Sequence, residues 1–159
     1  MANRNLTGLA QVDEKYFVTG PAQPENELTD TAEVWLSDPE VVKKGFFSSD
    51  YAVFFVMTKP NTWAVKRRFE DFVWLRNTLA TQYGGHMVPS IPKEVNAGGF
   101  DTGFPKRKFF LQRFINNVVS VPIFRSSPIL LGFLKEEDAK LFNKEKTKSK
   151  KIQKPTEAH

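Results

Sequence analysis

The sequence predicts an α+β fold in which a three-stranded antiparallel β-meander is followed by about four helices. Three observations predict it. Short β-prone apolar runs separated by turn residues fill the stretch from Thr31 to Phe69, and the hydrophobic period lengthens to that of a helix after Arg68. Pro89 and Pro92, spaced for polyproline II, then separate the first helical pattern from the next.

Each element has its own reason. "TAEVWL" from Thr31 reads as a first strand, "SDPEVVKKGFFSSD" as a long loop, "YAVFFVMT" as a second strand, "KPN" as a turn and "TWAVKRRF" as a third strand. Phe72, Leu75, Leu79 and Tyr83 recur at helical spacing until Gly84 and Gly85 end the helix. "NAGGFDTGFP" reads as a Gly-rich loop carrying Phe100 and Phe104. A second helix is expected from Lys106 to about Val119, burying Leu111, Phe114, Ile115 and Val118, and Pro122 stops it. "SPILLGFL" and "KEEDAKLFNK" give two short helices.

Composition bounds the rest. The 159 residues suit one domain with something left over, and 15 Phe supply a large aromatic core. Residues 1–29 read as an N-terminal extension, 30–143 as the domain and 144–159 as a Lys-rich flexible tail. The absence of cysteine excludes disulfides and thiolate chemistry. The longest apolar run, "YAVFFVM", falls far short of the roughly 18 residues that span a bilayer. Six lysines against one glutamate between Lys144 and Lys154 equal the chain's whole net charge of +5. The remainder is neutral, so any basic site in the body must be a local cluster.

One such cluster is "KRRF". As an alternating strand it places Lys66 and Arg68 on one face with Ala64, and Arg67 on the other with Val65 and Phe69. The bland reading is a solvated strand end whose charges pair with Glu70 and Asp71. Arg107 is harder to place among solvated charges, because it lies one helical turn before Leu111, in line with the buried stripe. A guanidinium there needs an anion or several acceptors, supplied either by an internal carboxylate or by the phosphate and hydroxyls of a ligand.

"KRRFEDFVWLRNTL", then "VPSIP", then "KRKFFLQRFINNVVSVPIF" and "SPILLGFL", with "LSDPE" before them, resemble the phox-homology (PX) domain of the sorting nexin family over roughly Thr31 to Phe142. The resemblance implies a three-stranded sheet packed against a helical subdomain, with a Pro-rich crossover. It implies recognition of a phosphoinositide headgroup, most often phosphatidylinositol 3-phosphate, on endosomal membranes. By position, Arg68 resembles the arginine that holds the 3-phosphate, Phe69 the aromatic under the inositol ring, and Arg107 the arginine on the ring's 4- and 5-hydroxyls. Lys93, directly after Pro92, stands where the lysine for the 1-phosphate is expected, about a residue early. Val95, Phe100 and Phe104 fall where the family places a membrane-inserting loop.

The resemblance further implies a non-catalytic, cytoplasmic protein, peripheral on endosomes, joined in the family to a BAR-type region or to trafficking partners, with no cofactor. His86 and His159 lack the partners of a metal site, and the phosphate loops and nucleophile elbows of common enzymes do not occur. Two alternatives stay open: a PX-like protein-interaction module with weak or altered lipid specificity, or nucleic-acid binding through the Lys-rich tail. The second is not expected, because the tail has no aromatic residue to stack on bases.

Overall fold

The computed structural model describes residues 26–43, 45–46, 51–91 and 100–153. Among these the sheet has four strands, β1 (Glu33–Leu36), β2 (Glu40–Val42), β3 (Tyr51–Lys59) and β4 (Trp63–Arg68). The helices are α1 (Phe69–Gln82), α2 (Phe100–Ser120), α3 (Pro122–Arg125), α4 (Pro128–Lys135) and α5 (Ala139–Gln153). The α+β class holds, with corrections on one edge of the sheet and in the helices.

β3 is the central strand. β4 pairs antiparallel along one edge, from Val53↔Arg68 to Thr58↔Trp63. β1 and β2 share the other edge, Glu33↔Lys59 to Leu36↔Val56 and then Glu40↔Val53 to Val42↔Tyr51. The expected long loop therefore contains a strand. Pro39 interrupts the ladder, since it has no N–H to donate. Ser37 bridges the gap: its N–H donates to the Phe55 carbonyl at 3.0 Å, and its hydroxyl accepts from the Phe55 N–H at 3.0 Å. Three residues of β2 are too few to show alternation, which is why the pattern reads as a loop.

Alternation points Val34, Leu36, Phe54, Val56 and Val65 inward. They meet Phe72, Leu75 and Leu79 of α1, the expected stripe Leu111, Phe114, Ile115 and Val118 of α2, and Ile129, Leu130, Phe133 and Leu134 of α4. Phe72 stands edge-on to Phe133 at 5.0 Å and to Phe54 at 6.4 Å. Each fully buried Phe contributes about 1.5–3 kcal/mol by leaving water. α1 ends as predicted, with Tyr83 donating its N–H to the Leu79 carbonyl and Gly85 in the left-handed region at φ 94°.

α2 also seals the outer edge of β1. The Asn116 amide accepts from the Val34 N–H at 2.9 Å and donates to the Val34 carbonyl at 2.8 Å, as a neighbouring strand does. One turn earlier, Gln112 accepts the Leu36 N–H at 3.0 Å. α2 starts at Phe100, not Lys106, so Phe100 and Phe104 lie in its first turns and not in a loop. A further turn, α3, precedes α4, and Ser127 caps α4 by accepting the Ile129 N–H.

The C-terminal region departs most from expectation. α5 runs to Gln153, so the segment expected to be a flexible tail is helical over its first ten residues. Asp138 starts it by accepting the N–H groups of Lys140 and Leu141. Phe142 anchors it edge-on to Trp74 of α1 at 5.5 Å. The Lys-rich composition hides the hydrophobic and ionic anchors of this helix.

Arg67 joins these layers. Alternation turns its side chain inward beside Val65, leaving it 3% exposed. Its guanidinium donates to the carbonyls of Phe133 at 2.8 Å, Gly132 at 3.2 Å and Glu136 at 2.6 Å at the end of α4, where Gly132 also accepts the Glu136 N–H, and to that of Lys66 at 2.8 Å. The ring of Phe142 covers it at 3.8 Å. Desolvation brings its pKa down to about 10, against the raising fields of Asp71 and Glu136. Because the folded value lies below the unfolded one, that desolvation cost is present at every pH below about 10 and is relieved only above it.

Arg67→Ala should therefore cost about 4 kcal/mol or more in urea unfolding, as several buried carbonyls lose their donor at roughly 1–3 kcal/mol each. Arg67→Lys should recover less than half, since one ammonium cannot reproduce the planar fork. Near-parental stability of the Ala variant would refute this role.

Candidate functional site

The candidate site is built where β4 becomes α1. Arg68 is the last strand residue and the N-cap of α1, with extended backbone at φ −93° and ψ 162°. Its N–H donates to the Asp71 carboxylate at 2.7 Å, which fixes the first turn. Alternation sends its side chain out of the core, opposite to that of Arg67. The guanidinium lies 4.0 Å above the Tyr51 ring and pairs with Glu70 at 2.6 Å. Its Nε is buried and has no hydrogen-bond partner among the described residues.

Phe69, the next residue, is half-buried and leans on the core. The Arg107 guanidinium of α2 lies 5.6 Å from its ring centre. Arg107 is half-buried, one turn before Leu111, as the helical spacing required. The structure thus brings Phe69 and Arg107 into contact and sets Arg68 beside them in the chain. Lys93 and Val95 lie outside the described residues, as do the side chains of Phe100 and Phe104.

The bland reading of the cations is also met in part. Glu70 takes Arg68, while Asp71 takes Lys146 of α5. Lys66 is exposed and lies 4.9 Å over the Phe55 ring. Sequence reasoning missed Tyr51 as the platform under Arg68, and Lys146 as a partner of the strand-to-helix junction. The first was legible from hairpin register, since Val53 faces Arg68 across the ladder and Tyr51 is two residues away on the same face. The second was not, because residues 144–159, Lys146 among them, read as a flexible tail.

Beside Arg68 opens a cleft of about 390 Å³ whose walls include Tyr51, Lys66, Arg68, Glu70, Asn143 and Lys146. Glu40 and Asp71 line it as well, whereas Phe69 and Arg107 do not. Lys66 and the Arg68 guanidinium can receive a phosphate ester there in competition with these carboxylates. Among the described residues, no group of three or more His, Cys, Asp or Glu could hold a metal ion.

A PX domain family model matches residues 55–137, just over half of the chain. The chain belongs to the PX domain family. Its similarity to sorting nexins is consistent: sorting nexin MVP1 of Kluyveromyces lactis is 38% identical over 96 residues, 56% of this chain and 19% of that relative. Mouse (Mus musculus) sorting nexin-11 is 32% identical over 118 residues, 70% of this chain and 44% of the relative. The cryo-EM structure of the SNX-BAR Mvp1 tetramer matches with a TM-score of 0.52 at 28% identity, over 72% of this chain and 35% of that one. This PX chain spans less than half the length of these relatives. No described helix of it is long and apolar enough to cross a membrane.

Asp71 is the testable hinge of the site. It is buried and accepts both the Arg68 N–H and the Lys146 ammonium. Asp71→Ala should cost about 2–4 kcal/mol, since it removes the cap and leaves a largely buried ammonium without a partner. Guanidinium unfolding measures it, and a loss under about 1 kcal/mol would show that α5 and α1 do not depend on this carboxylate.

Proposed function

We propose that this PX domain is a non-catalytic module that binds a phosphoinositide headgroup and recruits its protein to membranes, with phosphatidylinositol 3-phosphate as the preferred lipid and endosomes as the destination. The observation that carries the reading is the Arg107 guanidinium set over Phe69 next to Arg68, whose buried Nε lacks an acceptor among the described residues. In this reading Arg68 holds the 3-phosphate, Phe69 supports the inositol ring and Arg107 holds its hydroxyls. Lys93 reaches the 1-phosphate, while Val95, Phe100 and Phe104 enter the bilayer beside the pocket; these four rest on the family resemblance. The tetrameric SNX-BAR Mvp1 neighbour supports a BAR-type partner region in the protein to which this chain corresponds.

Glu70 favours a second reading, a protein-interaction module with weak lipid affinity. Its carboxylate already occupies Arg68 at 2.6 Å, so a phosphate must displace it. Both residues are substantially exposed, and such a pair contributes no more than about 1 kcal/mol. A phosphate dianion making two charge-assisted bonds, about 3 kcal/mol together, outcompetes it.

Vesicle co-sedimentation over a panel of singly and multiply phosphorylated inositol lipids tests the proposal. Binding should be strongest with the 3-phosphate, more than 100-fold weaker in Arg68→Ala, and up to about fivefold tighter in Glu70→Gln. Equal binding by folded Arg68→Ala and the parent would overturn the pocket. Parental binding too weak to detect for every lipid would favour the protein-interaction reading.

A further inference from the structure

The lysines of the C-terminal region are not distributed as a solvated tail distributes them. α5 reads "AKLFNKEKTKSKKIQ", six lysines with Glu145 as the only carboxylate. Phe142 and Ser149 are buried and Lys146 turns toward Asp71, which defines the inner face of the helix. At 100° per residue, Lys140, Lys144 and Lys148 form a row turned away from Lys146, four residues and about 6 Å apart, and Lys144 and Lys148 stand on the rim of a cleft whose walls also include Trp74, Phe133, Glu136 and Leu141. All three are exposed. The ion pairs among the described residues engage Arg68, Lys108 and Lys146, and none of these three. Leu141, 54% exposed, flanks the row.

We propose that Lys140, Lys144 and Lys148 form a fixed cationic ridge that docks on an anionic phospholipid surface, independently of the headgroup pocket. Like charges at four-residue spacing repel and weaken a helix. An anionic surface removes that repulsion and gains from all three at once. Because α5 is held to the body by Phe142 and Lys146, the ridge is arranged before contact, so less ordering entropy is lost than with a flexible basic segment. The charge complementarity fits a bilayer better than a nucleic acid: α5 has no Arg for base edges, and the side group beside the lysines is an aliphatic leucine and not an aromatic stacking platform. Leucine suits the boundary between headgroups and acyl chains.

The test uses the whole chain with phosphatidylcholine vesicles, with and without phosphatidylserine and free of any phosphoinositide. The parent should bind only the phosphatidylserine vesicles, and more weakly as salt rises. The triple variant Lys140→Gln, Lys144→Gln, Lys148→Gln should bind roughly 100-fold more weakly, from about 1 kcal/mol per lysine at an anionic surface. Two controls, a charge-matched variant and an arginine variant, separate the ridge from its alternatives. Lys43→Gln, Lys59→Gln, Arg113→Gln removes the same charge from other exposed sites and should bind phosphatidylserine like the parent. The triple arginine variant of the ridge, which keeps charge and helix, should also match it. Equal loss in the charge-matched control would reduce the effect to net charge and overturn the ridge. So would a parent that ignores phosphatidylserine, or one that prefers a short DNA duplex through the same three lysines.

Discussion

A charged fork sealed among phenylalanines is the constraint around which this domain is arranged. Arg67 cannot be solvated, so it must be met by acceptors, and the supply comes from the carbonyls at the end of α4. That match fixes α4 against β4. It also provides the flat cationic surface on which Phe142 lies, so the first turn of α5 docks at the same point. A strand and two helices that are distant in sequence are thereby tied at one side chain.

The consequences reach the neighbouring residues through alternation. Once Arg67 faces in, Lys66 and Arg68 must face out. The two adjacent arginines look equivalent in the sequence, yet one is sealed against the carbonyls of α4 and the other turns outward to Tyr51 and Glu70. Asp71 extends the coupling, since its two oxygens serve the backbone of Arg68 and the ammonium of Lys146. The proposed lipid site and the C-terminal helix thus share a carboxylate, although they are far apart in the chain.

Much of this is legible in the residues alone. The stripe of α2, the hairpin of β3 and β4, the handover from strand to helix at Arg68, and the direction of Arg107 all follow from period and spacing, because burial enforces those patterns residue by residue. β2 is not legible: three residues cannot establish a period, and what holds them is a ladder partner supplied by β3. The start of α2 is obscured by Gly and Pro in "GGFDTGFP", which argue locally for a loop. The start of α5 is legible in "KEEDAKLFNK", but its continuation from residue 144 is hidden by lysines, of which Lys146 is held inward by Asp71. In the site, the position of Arg68 follows from alternation, but its engagement by both Glu70 and Tyr51 depends on side-chain conformations that no spacing rule specifies.

Asn116 and Gln112 do more than hold α2 against the sheet. By imitating a neighbouring strand, they occupy the backbone groups that an incoming chain would otherwise use to extend the sheet beside β1. Two polar side chains on a helix therefore act as a guard against self-association, and their loss would register first in the solubility of the protein, before its helices loosened.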